Sequence, residues 1–260
     1  MKMRAFTFSF ALFLVSCVTN PETGSQAIIV TSSEQEAALG DRAFQEILSK
    51  ERLSTNRRWQ GILERVGKRI AEASRVDGFN WEFRLIESKT QNAFCLPGGK
   101  VAFYTGIFPA AVNEAGLAAI MGHEVAHATA RHAGQRITLA FGTEIAFEGL
   151  NAILDGKLKD RPLLFAALGA GTMLGVSLPF SRAQESEADK IGLIYMARAG
   201  YDPHQAPAFW EKFGAASSQM PKFLSSHPPS DERMRALGEQ VESVLGTYQS
   251  SPKYGTGEVL

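Results

Sequence analysis

The sequence predicts an α+β fold that is mainly helical and contains one small β-sheet. Apolar residues recur at spacings of three and four over several long stretches, which is typical of helices with one buried face. Between two such stretches, apolar and polar residues alternate with a period of two, which is typical of strands. Of the 260 residues, 45% are hydrophobic and 21% are charged, so the chain has enough apolar material for a packed core.

The charge and cysteine counts argue against two classes of protein. Lysine plus arginine and aspartate plus glutamate both number 27, so the chain has no basic surplus to hold a phosphate backbone. We therefore expect no nucleic-acid partner. The two cysteines, Cys17 and Cys95, are too few for a disulfide framework.

The N-terminus resembles a bacterial lipoprotein signal. Lys2 and Arg4 supply positive charge, residues 5–14 are apolar and uncharged, and small residues lead to Cys17. We expect residues 1–16 to be a signal peptide that is removed, and the Cys17 thiol to be acylated. Val18 after the cysteine favours the outer membrane over the inner one. Residues 17–33 then form a polar, lipidated tether.

Two helices and three strands are predicted next. Helical periodicity begins at Ser33 and returns in a second segment that starts near Trp59. Residues 79–86, 92–96 and 100–104 read as strands, the last two joined by a Pro-Gly-Gly turn. Everything after Gly106 is predicted as helix or loop. One domain therefore covers residues 34–250, followed by a C-terminal tail at 251–260.

A helix over residues 113–132, capped by Asn113, carries the sequence HEVAH at 123–127. Four residues of α-helix turn about 400° and rise about 6 Å, so His123 and His127 project from one face and can bind one metal ion. Glu124 lies on the flank of that face, within reach of a metal-bound water. This is the H-E-x-x-H arrangement of zinc-dependent peptidases. His132 lies a further 140° or so round the helix and is expected at a polar helix end, away from the ion.

A catalytic zinc needs a third protein ligand. Positions 130 and 133 are both alanine, which excludes the metzincin pattern, so a carboxylate from the acidic segment 181–189 is expected. Here the sequence resembles the M48 peptidases, relatives of the prenyl-protein CaaX protease and of membrane quality-control proteases. Their second motif, S-R-x-x-E-x-x-A-D, is matched by Ser181, Arg182, Glu185, Ala188 and Asp189. Residues 20–24, 92–99, 200–203 and 226–229 also resemble the family, although Cys95 is not expected there.

The acidic helix offers two glutamates, Glu185 and Glu187, about 200° apart, so only one of them can reach the ion. Asp189 lies four residues after Glu185, on the same face, where it can accept the outer N–H of a zinc-bound histidine. Glu187 has Ile191 at the equivalent place, which can orient nothing. We therefore expect Glu185 as the ligand, Asp189 behind it, and Glu187 on the solvated side, where its loss leaves the metal in place.

The resemblance implies a zincin-like metallopeptidase with one zinc ion per chain. His123, His127 and Glu185 would hold Zn²⁺, and Glu124 would act as general base on the attacking water. An extended substrate would add a strand to an exposed edge formed by Val101, Ala102, Phe103 and Tyr104. The alternative for these four residues is a plain core strand.

The expected function is a zinc endopeptidase of the bacterial cell envelope, lipid-anchored at Cys17 and facing the periplasm. Its substrates would be misfolded or misassembled envelope proteins. The alternative is a zinc-containing assembly factor that holds unfolded clients without hydrolysis. Glu124 favours the enzyme, because a pure binder needs no base beside the ion.

Two further features leave alternatives open. His227 lies in a loop stiffened by two prolines and could be a transition-state donor, a temporary fourth metal ligand or a structural loop histidine. Residues 163–180 carry no charge, and the segment is long enough to be considered as a membrane span. Its glycines and proline instead favour a lid over the cleft or a segment that touches the bilayer.

Overall fold

The computed structural model describes residues 16–141, 166–169, 179–215, 221–228, 230–255 and 259–260. Over these residues the fold is mainly helical with two small sheets, so the predicted fold class is confirmed. In the same part of the chain, no helix combines the length and the apolar character needed to cross a bilayer. The signal peptide and most of residues 163–180 lie outside the described residues.

The predicted tether contains a β-hairpin. Strand β1 (Ser16–Thr19) pairs antiparallel with β2 (Gln26–Ile29), and the exposed Cys17 lies opposite Ile28. Asn20 shapes the turn, because its side chain accepts a hydrogen bond of 2.9 Å from the Glu22 N–H. The chain is therefore ordered well before the first predicted helix.

The two predicted N-terminal helices form where expected. Helix α1 (Ser33–Lys50) begins with a capping box, in which the Ser32 and Gln35 side chains satisfy each other's backbone N–H groups. Helix α2 (Arg57–Ser74) begins at the Asn56 cap. Each buries one apolar face, in line with the periodicity.

The main sheet has three strands in the order β3-β5-β4. Strand β3 (Glu82–Ile86) runs parallel to β5 (Lys100–Tyr104), and β4 (Ala93–Leu96) pairs antiparallel with the other side of β5. The prediction that Val101, Ala102, Phe103 and Tyr104 form an exposed edge is wrong, because β5 is central, hydrogen-bonded on both sides and buried. Among the described residues, the edge strands are β3, whose outer side forms an isolated bridge with Leu53, and β4, which packs against α4.

The remaining elements are helical, as predicted. A short 3-10 turn (Thr105–Ile107) and α3 (Phe108–Ala111) lead to α4 (Glu114–Thr129), which is buried from Glu114 to Ala128. The others are α5 (His132–Phe141), α6 (Arg182–Arg198), α7 (Gln205–Ala215), α8 (Lys222–Ser226) and α9 (Asp231–Ser250). Helix α4 packs against α2, α6 and α7, so it lies at the centre of the fold.

Helices α4 and α6 are in backbone contact at a pair of glycines. A Cβ on Gly122 would lie 3.0 Å from the Gly192 carbonyl oxygen, and a Cβ on Gly192 would lie 3.1 Å from the Gly122 carbonyl carbon. Only glycine at both positions lets the helices approach this closely. The approach brings the first turn of α6, with Glu185, against the metal-binding face of α4.

Helix α4 ends earlier than predicted. Arg131 adopts a left-handed conformation with φ 55°, which redirects the chain before α5 begins. Its guanidinium is held by Glu36 of α1, with Nη2 2.7 Å from Oε1, and it donates to the Thr31 carbonyl at 2.6 Å. This partly buried ion pair stabilises a backbone conformation that costs a residue other than glycine about 1–2 kcal/mol.

Candidate metal centre

Four buried side chains converge beside α4. They are His123 and His127 of α4, Glu185 of α6 and His227, which follows α8, and their ligand atoms all lie within 4.8 Å of one another. His123 Nε2 lies 3.0 Å from His127 Nε2 and 3.2 Å from His227 Nδ1. Glu185 Oε1 lies 3.3 Å from His127 Nε2 and 2.9 Å from His227 Nδ1. The structure thus brings together the predicted ligands and adds His227 to them.

The donor set fits a zinc ion. Imidazole nitrogens and a carboxylate oxygen are the ligands that catalytic zinc sites use. Glu185 Oε2 and Glu124 Oε1 are both buried and have no hydrogen bond, which leaves two lone-pair-bearing atoms beside the cluster. Arg233 Nη1 lies 2.5 Å from Glu185 Oε2, an ion-pair distance without hydrogen-bond geometry. Glu185 Oε2 thus already faces a guanidinium, whereas Glu124 Oε1 lies beside the donor set without being one of its ligand atoms.

Glu124 lies on the flank of the cluster, between the sheet and His227. Its Oε2 accepts a hydrogen bond of 3.3 Å from the Cys95 N–H of β4, and its Oε1 lies 3.3 Å from His227 Nε2. Burial raises the pKa of Glu124, and the neighbouring His227 and His123 partly offset that rise. A carboxyl whose pKa moves up towards neutrality is suited to exchange a proton during a reaction.

His123 is oriented by a carboxylate behind it. Its Nδ1–H donates to Asp189 Oδ1 at 2.9 Å, and Asp189 in turn accepts two hydrogen bonds from the Arg233 guanidinium. Burial alone would raise the pKa of Asp189, but Arg233 outweighs it and holds that pKa below its usual range. The predicted partner Asp189 therefore lies against a predicted ligand, on the side away from the cluster.

Arg233 was not found by sequence reasoning. It stands three residues after Ser230, whose side chain caps α9 by accepting from the Arg233 N–H. The guanidinium is buried among carboxylates, and it also donates to the Pro228 carbonyl at 3.3 Å. Its position shortly after the His227 loop could have indicated its role. An arginine buried that close to a metal site needs a carboxylate partner.

The charge states of the ligands differ in the absence of a metal ion. Burial lowers the pKa of His123, but Glu185 and Asp189 outweigh it and raise that pKa to about 9. Burial lowers the pKa of His127 well below its usual value. Burial would raise the pKa of Glu185, yet His227 and His123 hold it well below normal. The two carboxylates thus favour the protonated form of His123, whereas burial favours the neutral form of His127.

Aromatic rings cover the cluster. Phe180 packs on His127 with ring centroids 4.0 Å apart, and His227 is stacked between Phe180 at 5.2 Å and Phe223 at 4.6 Å. His123, His127, Glu185 and His227 are each exposed by 3% or less. The four ligand side chains are therefore buried in this conformation, and among the described residues Phe180, Phe223 and Trp210 pack directly on the histidine rings.

His132 and Glu187 lie where the sequence did not predict them. His132 is fully buried, with Nδ1 2.9 Å from His127 Nδ1 and Nε2 3.2 Å from Glu187 Oε2. The expectations of a polar helix end and of a solvated Glu187 are therefore wrong. The left-handed Arg131 turns the chain back, so His132 lies against His127 instead of further round a continuous helix. Glu187 is covered because His132 and the hairpin side chains Thr23 and Ser25 contact it.

A helix bearing H-E-x-x-H, a carboxylate brought against it by a second helix and a small adjacent sheet together define a zincin-like metallopeptidase. Residues 57–241 match the model of peptidase family M48, and the chain belongs to that family. Zinc is the metal that this family uses, and the donor set described above fits it.

Several curated proteins are similar over most of the chain. The mitochondrial metalloendopeptidase OMA1 of Schizosaccharomyces pombe is 39% identical over 197 residues, which cover 74% of this chain and 56% of that protein. OMA1 of Arabidopsis thaliana is 35% identical, covering 80% and 42%. The beta-barrel assembly-enhancing protease of Escherichia coli is 29% identical, covering 85% and 47%. The chain thus spans about half the length of these relatives.

Proposed function

We propose that this protein is a zinc-dependent endopeptidase that hydrolyses peptide bonds of misfolded or misassembled proteins at the cell envelope. One observation carries the proposal. The buried carboxylate of Glu124 presents an oxygen without a hydrogen bond beside the converging donors of His123, His127 and Glu185. A site that only binds metal has no use for such a group.

Each residue then has a role set by its contacts. His123, His127 and Glu185 would hold the ion, which would supply Lewis acidity for the scissile carbonyl and lower the pKa of a bound water towards about 7. Glu124 accepts the proton of the attacking water and passes it to the leaving amine. Asp189 keeps the His123 proton on Nδ1, which frees Nε2 for the metal.

His227 closes the site in the resting conformation. Its Nδ1 lies 3.2 Å from His123 Nε2 and 2.9 Å from Glu185 Oε1, so it occupies the fourth position of the donor cluster. A catalytic zinc keeps one position open for water or substrate. His227 therefore has to move away before a peptide can bind, and this movement breaks its stacking on Phe180 and Phe223.

The free side of β4 is the proposed substrate edge, in place of β5. The Cys95 N–H points away from β5 and reaches Glu124, so this edge runs directly beside the base. Because backbone groups alternate along a strand, Ala93 presents its N–H and C=O on the same side. An extended peptide added here would place its scissile bond against Glu124.

The envelope location rests on the N-terminus and on the names of the relatives. Cys17 is exposed at the start of β1, where it is accessible for acylation as a lipid anchor. One relative is named a beta-barrel assembly-enhancing protease, and others are mitochondrial metalloendopeptidases. We propose that the lipid anchor holds the protein on the periplasmic face of the outer membrane, with unfolded envelope proteins as its substrates.

The function is tested by casein digestion together with metal analysis. We expect about one zinc per chain, digestion that stops with a chelator and returns with zinc, and an inactive Glu124→Gln variant that retains zinc, because an amide cannot take the proton. Glu72→Gln, a change at an exposed helical glutamate, is the matched control and should behave as the parent. An active Glu124→Gln variant would contradict the proposed hydrolytic mechanism. A zinc-loaded parent that binds casein without cutting it would favour the assembly-factor alternative.

A further inference from the structure

A chain of hydrogen bonds runs from the metal centre to the N-terminal hairpin. His127 Nδ1 meets His132 Nδ1 at 2.9 Å, and His132 Nε2 meets Glu187 Oε2 at 3.2 Å. The other oxygen of Glu187 accepts a hydrogen bond of 2.6 Å from Thr23 Oγ1, and it also accepts one from Ser25 Oγ. Hydrogen bonds therefore connect five side chains from four separate segments into one continuous path.

The proton positions along this chain follow from one condition. If His127 binds the ion through Nε2, its proton must sit on Nδ1, because a ligating nitrogen cannot carry one. The His127 Nδ1–H then donates to His132 Nδ1, which leaves the His132 proton on Nε2. That N–H donates to the Glu187 carboxylate, whose second oxygen accepts from the two hydroxyls. Every donor in this assignment has an acceptor.

We propose that His132 and Glu187 are positioning residues for the ligand His127, and that the hairpin turn bearing Thr23 and Ser25 is part of the metal centre. The proposal rests on the proposed role of His127 as a zinc ligand. It makes the two histidines of α4 alike, because His123 has Asp189 and Arg233 behind it while His127 has His132 and Glu187. Such partners fix a ligand's tautomer and orientation.

Further contacts hold the hairpin turn in the position that this role requires. Glu22, next to Thr23, forms a two-pronged ion pair with Arg198 at the end of α6, with distances of 2.5 and 2.8 Å. Asn20 holds the turn from within. The Glu187 side chain is only 15% exposed, and His132 is fully buried, so water does not compete freely for their hydrogen bonds. Displacing the hairpin would leave Glu187 without two of its three donors.

The test measures zinc affinity by competition with a chelating indicator, alongside the thermal stability of each metal-free variant. His132→Leu should bind zinc about 10–100-fold more weakly than the parent, the usual loss for a partner behind a metal ligand. His132→Asn should recover most of that loss, because its amide oxygen can stand at the Nδ1 position and accept from His127. Glu187→Gln should fall between the two.

The hairpin is tested by the double variant Thr23→Val with Ser25→Ala. We expect a loss of zinc affinity on the order of two- to tenfold, in line with losing hydrogen bonds to a carboxylate. Thr19→Val, at an exposed threonine of the same hairpin, is the matched control and should bind zinc as the parent does. In zinc-loaded protein, the His127 Nδ1–H should give a downfield NMR signal that His132→Leu removes.

The outcomes separate this proposal from the proposed function. His127→Ala should bind no zinc. If it is empty while His132→Leu and the double variant keep parental affinity, the positioning role is wrong and the zinc site stands. If His127→Ala keeps its zinc, the ligand assignment fails and this proposal fails with it. If His132→Leu does not fold, the double variant decides, since Thr23 and Ser25 lie at the surface.

Discussion

His227 Nδ1 lies 2.9 Å from Glu185 Oε1, so a histidine from a loop and a glutamate from a helix meet at the point where the ligands converge. The two residues are 42 positions apart in sequence, and one of them sits between two aromatic rings that cover the site. The resting conformation is thus stabilised by a contact that a bound peptide has to replace.

Replacing His227 should release the site. We expect His227→Ala to raise the basal rate of casein hydrolysis by about two- to tenfold, the factor that one hydrogen bond is worth, with zinc content unchanged. His204→Ala serves as the control, because His204 is exposed and lies just before α7, outside the metal centre. A fall in kcat at constant zinc would instead make His227 a donor to the transition state. Parental kinetics would leave it a structural residue.

Glu185 should be needed for the metal itself. Glu185→Gln should lose most of the bound zinc, because an amide is a poor zinc ligand. The loss of affinity should exceed the roughly 10–100-fold expected for residues that only position a ligand. Zinc stoichiometry of the purified variant gives the answer, with Glu187→Gln purified in parallel. The assignment is overturned if the Glu187 variant arrives empty while the Glu185 variant stays loaded.

Asp189 should act on the metal through His123. Asp189→Asn should weaken zinc binding by about 10–100-fold, since the amide holds the His123 proton less firmly and no longer neutralises Arg233. Indicator competition measures this loss. Asp77→Asn, at an exposed aspartate, should leave zinc affinity unchanged. Equal affinity in the two variants would show that His123 is oriented by something else.

Glu187 should make the metal-free protein sensitive to acid. Burial acts to raise its pKa, but hydrogen bonds from His132, Ser25 and Thr23 outweigh this and lower the pKa to about 2 from 4.5. A carboxyl whose pKa is depressed by folding stabilises the protein above its unfolded pKa, and that contribution is lost as the pH falls towards the folded pKa. The Tm difference between parent and Glu187→Gln should therefore be largest above about pH 4.5 and shrink towards pH 2. A difference that stays constant over this range would contradict the assignment.

The glycine contact between α4 and α6 should tolerate no side chain. Gly192→Ala should lower the free energy of unfolding by about 1–3 kcal/mol, because the new Cβ would press on the α4 backbone one residue from His123. Denaturant titration of the metal-free protein measures this. Gly61→Ala in α2 is the control, since nothing lies within 4 Å of its Cβ position and alanine favours a helix by about 0.5–1 kcal/mol. Equal stability of the two variants would refute the close contact.

Local sequence patterns predicted most of the elements. Periodicity and caps located α1, α2 and α4, and the H-E-x-x-H spacing brought His123 and His127 to one face. The pairing of Glu185 with Asp189 correctly placed both side chains beside α4, because it depends only on helix geometry. These features are decided by residues a few positions apart.

The errors concern relationships that no local pattern carries. Strand order put β5 in the centre of the sheet, and nothing in the residues of β5 distinguishes a central strand from a buried edge. Helix α4 ends at Thr129, and the chain turns at Arg131, where no glycine or proline marks the turn and where the side chain is held by Glu36, 95 residues away. His132 and Glu187 were misplaced for that reason, and Arg233 was missed because its partners lie on another helix.

The centre is built from pieces that are far apart along the chain. His123 meets Asp189 across 66 positions and His227 across 104, and Glu187 meets Thr23 across 164. Contacts of such high sequence separation carry a larger loop-closure cost than contacts within one helix. A partly synthesised or locally unfolded copy therefore holds the two histidines of α4 without the groups that complete the centre. Peptidase activity should therefore appear only once the segments from α4 to α9 have packed together, because the ligands and their partners are spread over them.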